Sequence, residues 1–308
     1  MLTPEILSML WCPTCQKKEL DTAPETVAGQ PFEEGELRCT RCKAVYPVRF
    51  GVPHLIPHDA LTGNDWKLWR DHLAKFEARR KERIDHPDRP VTRLAKKSQP
   101  QPAFARFTAI QEGTLLDVGC GPGKLRSHFD LERVQYVGLD PIALPEVADF
   151  PFVQSLAESI PFKDATFTDV TVLAALDHFR DKEGFLAEVR RVLKPGGRLH
   201  ILQSVHEVRG PISAVKVMAH KVKDGLEERS AGEDAGDVPK HLTEFTSRSL
   251  LDWLQGSFDL VASERYSATW YSPVKVFLSS TPKDLKPTRP SPSGGESAEP
   301  RAVKYGES

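Results

Sequence analysis

The chain lacks any run of about 18 apolar residues, so nothing in it reads as a membrane-spanning helix. It also lacks an excess of charge of either sign. Its 42 Lys and Arg stand against 43 Asp and Glu, a net −1, which excludes binding to nucleic acid through bulk charge and leaves room only for a local basic patch. The start, Met1 to Leu10, has no basic n-region and no small-residue cleavage site, so no secretory signal is expected and the expected compartment is the reducing cytoplasm. The 308 residues, 39% hydrophobic and 28% charged, have an ordinary soluble composition. That length holds one α/β domain of about 150–200 residues and a smaller module.

Cysteine is scarce, but four of the five cysteines fall in two pairs, Cys12-x-x-Cys15 and Cys39-x-x-Cys42. Each pair is a knuckle whose thiolates reach one tetrahedral ion, and two knuckles complete a four-sulfur zinc site. In a reducing compartment the pattern favours metal over disulfides. A redox dithiol is the competing reading, but it would not need the second pair. With Cys12, Cys15, Cys39 and Cys42 all as ligands, no position is open for catalysis. The expected role of Zn2+ is therefore to fold a module too small to hold itself together. Around the ligands stand Pro13, then Lys18-Glu19-Leu20, Leu37, Tyr46-Pro47-Val48, Gly51-Val52-Pro53 and Leu55-Ile56-Pro57. This wording, over residues 1–58, resembles a small zinc-ribbon family. That family includes the stand-alone activator subunit which pairs with several RNA and protein methyltransferases. The resemblance implies a module that stabilises a catalytic partner and takes no part in the chemistry, here fused to it in cis.

Residues 59–103 read as a helical, basic linker. Trp66, Trp69, Leu73 and Phe76 recur at three- and four-residue spacing, which predicts an amphipathic helix with one aromatic stripe. Arg79, Arg80, Lys81, Arg83, Arg89, Arg93, Lys96 and Lys97 follow. They are either a solvated face beyond a helix packed on the main domain or a basic collar that steers a phosphate-bearing substrate such as RNA.

From 104 to 280 the pattern alternates between strands and helices. Strands are expected at 114–119, 135–140, 150–154, 167–174, 198–205, 258–265 and 273–280, with a helix over 182–193. Alternation closed by a strand pair predicts an α/β fold, a doubly wound seven-stranded sheet with an antiparallel edge. An insertion at 206–242 is too long for a simple connection and reads as a lid or a flexible excursion. Thr246 is placed to cap the following helix. The tail, 281–308, is rich in Pro, Ser, Glu and Lys and is expected to be disordered.

The stretch Leu115-Leu116-Asp117-Val118-Gly119-Cys120-Gly121-Pro122-Gly123-Lys124 reads as a buried strand, a tight loop and the start of a helix. Its glycines let a ligand lie against backbone without meeting a Cβ. A dinucleotide loop is G-x-G-x-x-G, whereas here the sixth position is Lys124 and the spacing is G-x-G-x-G. Tyr136-Val137-Gly138-Leu139-Asp140, then Ala157-Glu158-x-Ile160-Pro161-Phe162, then Leu186 and Arg191-Val192-Leu193-Lys194-Pro195-Gly196-Gly197 follow in order. Together these motifs resemble class I methyltransferases that use S-adenosylmethionine. The resemblance implies a Rossmann-like fold and cofactor contacts at Asp117, Gly119, Cys120, Gly121, Gly123, Asp140, Pro141, Leu156, Ala157 and Leu173. Asp117 would act on the ligand's ammonium end, directly or through the loop, and Asp140 would grip the ribose hydroxyls. Relatives often carry an Asp where Leu156 stands, so the adenine would be met by the Gln154 amide or by backbone, or else cofactor binding is weakened.

After the fourth expected strand, Leu176-Asp177-His178-Phe179 replaces the Asn/Asp-Pro-Pro-aromatic stretch of enzymes that methylate amino groups on bases. The wording is closer to enzymes acting on oxygen or carbon of small molecules, and also to wobble-uridine carboxylate methyltransferases. A general base is needed only where the acceptor must lose a proton. The candidates are His178 and His206, with Asp177 beside them. The reading is thus a methyltransferase acting on a small molecule, with a tRNA or rRNA acceptor as the alternative. A non-catalytic scaffold with a degenerate cofactor pocket is the rival from another class.

Overall fold

The computed structural model describes residues 2–15, 19–23, 30–85, 100–142, 149–205, 243–267 and 274–283, with side chains given throughout except at 79, 80 and 82–85. His206, the insertion at 206–242, the second half of the basic cluster (Arg89, Arg93, Lys96 and Lys97) and the tail beyond 283 lie outside the described residues. No described helix is long and apolar enough to cross a membrane.

The N-terminal part opens with helix α1 (Pro4–Met9), whose first turn is capped by the Thr3 hydroxyl and started by a proline that needs no N–H partner. A four-stranded antiparallel sheet follows, β1 (Leu20–Ala23), β2 (Gly35–Cys39), β3 (Val45–Arg49) and β4 (Val52–Pro53), in that spatial order. Helices α2 (His58–Thr62) and α3 (Lys67–Asp85) lead out of it. Helix α4 (Gln101–Thr108) leads into the main sheet.

That sheet has seven strands in the order β10-β11-β9-β8-β5-β6-β7. They are β5 (Gly113–Val118), β6 (Val134–Asp140), β7 (Phe152–Gln154), β8 (Phe167–Leu173), β9 (Leu193–Ser204), β10 (Phe258–Tyr266) and β11 (Lys275–Pro282). From β5 to β9 neighbours run parallel, and β11 and β10 close the edge antiparallel, as the strand pattern predicts. Helix α4 packs on one face through Phe104 against Leu202 and Phe277. Helices α5 (Lys182–Val192) and α6 (Ser247–Gln255) cover the other. A sheet covered on both faces explains why β5 is buried at Leu115, Leu116, Asp117 and Val118 in succession rather than at alternate positions. The apolar core is continuous with the N-terminal part: Leu2, Ile6, Leu10 and Leu37 belong to the same cluster as Ile160, Phe162 and the sheet residues Leu116 and Val170.

The Thr246 cap is present as expected, in a reciprocal box with Ser249. Three local expectations differ. The segment after the glycine loop is a short 3-10 helix, Lys124–His128, because the chain turns extended at Phe129. Helix α5 ends at Val192, and β9 starts at Leu193 rather than 198. The register runs from Phe167↔Leu193 to Asp169↔Arg198, so Lys194–Gly197 bulge out of the ladder, with Gly196 at φ +78°. At the sheet edge, β7 is shorter than the expected 150–154.

Candidate active site

The chain leaves β5, steps outward through β6 and β7, and returns to lay β8 against the other side of β5. That reversal opens a crevice at the carboxyl ends of the strands, where open α/β sheets take their ligands. A cavity of about 210 Å³ lies there. Its floor is Val118, Gly119 and Gly121; one wall is Leu139, Asp140, Pro141 and Ile142. Leu156, Ala157 and Glu158 make a second wall, and Ala174, Ala175, His178 and Phe179 a third. Trp69, His72, Leu73 and Phe76 of α3 roof it. The aromatic stripe read from the linker is therefore a cavity wall.

Six of the expected cofactor contacts line this cavity: Gly119, Gly121, Asp140, Pro141, Leu156 and Ala157. Asp140 accepts from the backbone N–H of Gly121 (2.9 Å) and of Ile142 (2.9 Å), which ties the glycine loop to the end of β6. Gly119 has φ +70°, and a Cβ there would stand 2.4 Å from that of Ala175, so only glycine fits between the two loops.

The other four expected contacts stand behind the wall, and each departure has a packing reason. Asp117 is fully buried below the loop and accepts from Tyr136 Oη (2.6 Å) and Thr171 Oγ1 (2.9 Å). Burial, against these two donors and with the charge of Asp140 nearby, pushes its carboxyl up to about 6. It bonds the neighbouring strands β6 and β8 and does not line the cavity. Cys120 packs toward Gly138, where a Cβ would come within 2.7 Å of its Sγ. Gly123 abuts the Phe150 ring, 2.6 Å from where its Cβ would be. Leu173 points to the α4 face, into the cluster with Phe104 and Leu202; its neighbours Ala174 and Ala175 line the cavity in its place.

Gln154 is also not at the cavity. Its amide nitrogen donates to the Pro141 carbonyl (2.8 Å), and its Oε1 accepts from His54 Nδ1. It is spent on a clasp between β7 and the N-terminal part, a role that no local pattern announces. The clasp has further bonds. Leu55 N–H donates to Gln154 O (2.7 Å), and Ser155 Oγ donates to Leu55 O (2.9 Å). Ser159 Oγ donates to Pro13 O (3.1 Å), Trp11 N–H to Pro161 O (3.0 Å) and Lys163 N–H to Met9 O (2.9 Å). His54 and Gln154 form an isolated parallel bridge, so the chain just after β4 runs alongside β7. Leu156 packs on Ile56, Ala60 and Trp69 of the N-terminal part and linker.

Glu158 belongs to the motif Ala157–Phe162. It lines the cavity, and its carboxylate accepts from the backbone N–H of Arg180 (2.7 Å) and Asp181 (3.1 Å). Burial raises its pKa. Of the general-base candidates, His178 lines the cavity. Its Nε2 lies 3.9 Å from Asp177 Oδ2, and its Nδ1 lies 3.1 Å from Nε2 of His72. His206 lies outside the described residues.

Away from the cavity, one ligand atom from each of Cys12, Cys15, Cys39 and Cys42 lies within 4.8 Å of the others. Cys12 and Cys42 sulfurs are 3.5 Å apart, and those of Cys15 and Cys39 3.6 Å. Tyr46 Oη stands 3.4 Å from Cys12 Sγ.

Comparison with known proteins agrees with this topology. The methyltransferase-domain family profile matches residues 116–201. An uncharacterized methyltransferase of Mycobacterium bovis is 32% identical over 172 residues, 53% of this chain and 68% of that one. The ubiquinone/menaquinone biosynthesis C-methyltransferase of Marinomonas sp. is 46% identical over 120 residues, 32% of this chain and 48% of that protein. Among solved structures, the 1,6-didemethyltoxoflavin-N1-methyltransferase of Burkholderia thailandensis, bound to 1,6-didemethyltoxoflavin and S-adenosylhomocysteine, shares the fold. Its TM-score is 0.50 at 19% identity, over 82% of this chain and all of that one. With its parallel sheet, its glycine loop at the reversal of strand order and a relative covered over two thirds of its length, the chain belongs to the methyltransferase family.

Proposed function

We propose that the cavity holds S-adenosylmethionine and that the chain transfers its methyl group to oxygen or carbon of a small-molecule acceptor. The observation that carries this is the pairing of two bare glycine backbones, Gly119 and Gly121, with the Asp140 carboxylate at the end of the neighbouring strand. A cofactor without phosphates needs close backbone approach and an acceptor for its ribose hydroxyls, and this floor offers both. Gly119, Gly121, Pro141, Leu156 and Ala157 would bound the cofactor, with Asp140 on the ribose. Asp117, Cys120 and Gly123 would act by holding the loop. When bound, the cofactor supplies an activated methyl, so the protein's part is alignment and exclusion of water. The apolar roof of Trp69, Leu73 and Phe76 serves that exclusion. The adenine would lie against Leu156 and meet backbone groups, since Gln154 is engaged elsewhere.

The same reading divides the chain into a zinc-ribbon module over 1–58, a linker over 59–103 and the methyltransferase domain over 104–280. The four sulfurs fit a tetrahedral ion: a Zn–S bond near 2.3 Å sets sulfur–sulfur edges of about 3.8 Å, close to the 3.5 and 3.6 Å found here. The thiols are not alike: burial pushes Cys12 up to about 12 and raises Cys42, while the amides of Cys42 and Arg41 bring Cys39 down to about 7 against burial, so a bound cation would be what holds all four as thiolates. The ion would fold the module that clasps the wall at 154–163.

Calorimetric titration with S-adenosylhomocysteine tests the cofactor reading. Saturable binding in the micromolar range is expected; no heat at high micromolar ligand overturns it and favours the non-catalytic scaffold.

A further inference from the structure

His72 is a buried histidine on a linker helix, 3% exposed, in a segment that carries none of the methyltransferase motifs. It nonetheless enters the cavity opposite the loop after β8, where its Nε2 lies 3.1 Å from Nδ1 of His178. The rings are 5.2 Å apart between centroids, and the Phe76 ring packs on both, 5.0 Å from His72 and 4.6 Å from His178. We propose that His72 and His178 share a proton and form one acid–base unit at the acceptor wall, with His72 as the positioning residue that makes the pair. This rests on the cofactor reading above and adds to it a class of acceptor: one whose nucleophilic atom must lose a proton.

Chemistry fixes the arrangement. A neutral imidazole carries one N–H and one lone pair, so at this contact one ring donates and the other accepts. The Asp177 carboxylate, 3.9 Å from Nε2 of His178, favours a proton on that nitrogen. Nδ1 of His178 then accepts from the Nε2–H of His72, and the tautomer of each ring is set by its neighbour. Among the described residues, the charged groups around the unit include Asp177 beside His178, Lys182 and Lys275 near Asp177, and Glu158 on the adjoining wall. On α3 itself there are Asp71, bonded to Lys67, and Lys75.

In the transfer, the bond between methyl carbon and sulfonium sulfur breaks, and its electron pair stays on sulfur. The bond from the acceptor's nucleophilic atom to the methyl carbon forms. The proton that atom loses passes to the paired rings, leaving one imidazolium shared between them and facing Asp177. Positive charge leaves the sulfonium and appears on the pair, so no further co-reactant is required.

The test is a pH titration of the histidine ring nitrogens by long-range 1H–15N NMR on the full chain, unmodified and as His72→Gln, which keeps an N–H donor and removes the second basic nitrogen. In the unmodified chain His72 and His178 should titrate as one coupled system in two steps about one pH unit or more apart. In His72→Gln, His178 should titrate in a single step at a different pH. Independent single-step curves for the two rings, or a His178 curve unchanged by the substitution, overturn the proposal. The unmodified titration decides the matter even if the variant fails to fold. Calorimetry of the unmodified chain with S-adenosylhomocysteine is read separately: its failure removes the cofactor and leaves the coupling result standing.

Discussion

The loops after β5 and β7 border one cavity and differ in what holds them. The first is held from within its own domain. Asp140 on β6 takes the Gly121 amide, Tyr136 and Thr171 grip Asp117 beneath it, and Ala175 leaves room only for a glycine at 119. The second is held from two sides: Arg191 on α5 donates to the carbonyls of Ile160 (2.7 Å) and Phe162 (2.6 Å), and the N-terminal part bonds it from outside. The wall at 154–163 is bonded to His54, Leu55, Pro13, Trp11 and Met9, all in the N-terminal part. Leu156, at the position where relatives often place an acid, is instead covered by Ile56, Ala60 and Trp69. The wall after β5 is held by bonds within the sheet, and the wall after β7 is held by the sheet's helix and by the N-terminal part together, whose apolar core is continuous with that of the sheet.

The largest way to break this contrast is at the cysteines. Cys39→Ser should abolish retention of zinc, read by native mass spectrometry, and release the clasp. Apparent affinity scales with the fraction of chains whose wall is in the competent state. Affinity for S-adenosylhomocysteine should therefore fall by about tenfold or more, because a loosened N-terminal part would leave that wall unsupported in most chains. Equal affinity with and without metal would show that the wall at 154–158 holds its shape alone. A metal-free chain that keeps its full fold would refute the zinc site.

The contrast also explains what was legible in the sequence. The glycine loop, Asp140 and the strand order could be read because their determinants are local: an apolar strand, glycines at fixed spacing, an acid at the next strand's end. The four cysteines could be read as a cluster because two closely spaced pairs are a local pattern, and their sulfurs do come together. Gln154 could not, since its partner His54 is 100 residues away in sequence and nothing at 154 distinguishes an amide meant for a ligand from one meant for a neighbour. Leu173 was misplaced by one residue at a strand end, which moves a side chain from one face to the other. His72 stands beside the stripe of Trp69, Leu73 and Phe76 without belonging to it, and the stripe's helical period shows which face is buried but not that the face is a cavity wall.

The next effect tests the internally held wall. Tyr136→Phe removes the hydroxyl that donates to the buried Asp117, with no gap large enough for water. The loss should be about 2 kcal/mol of stability at pH 7.5, as for a hydrogen bond to a charged buried group. Its pH dependence has a definite sign. The Asp117 carboxyl stands near 6 when folded against an ordinary 3.8. The folded state therefore holds more protons than the unfolded one between those values, and this group's contribution to stability is fully present below about 4 and lost as pH rises through 6. Below the folded value near 6 both folded proteins carry a neutral carboxyl, which values the lost donor less. Urea unfolding should thus show a smaller deficit at pH 4.5 than at 7.5, and equal deficits would mean that Asp117 keeps its charge throughout.

The smallest effect separates the two roles open to Gln154. As a clasp, it makes one hydrogen bond across to His54 and one to Pro141, so Gln154→Ala should cost about 1–2 kcal/mol of stability and weaken S-adenosylhomocysteine only a few-fold. A general loosening of the wall weakens every cofactor analogue in the same proportion. A lost contact to the adenine amino group would instead weaken S-adenosylhomocysteine and spare S-inosylhomocysteine, in which an oxo group replaces that amine. The ratio of the two affinities should therefore be unchanged by Gln154→Ala. A ratio that collapses toward one would return Gln154 to the adenine pocket and make the wall after β7, like the loop after β5, a site built by its own strand.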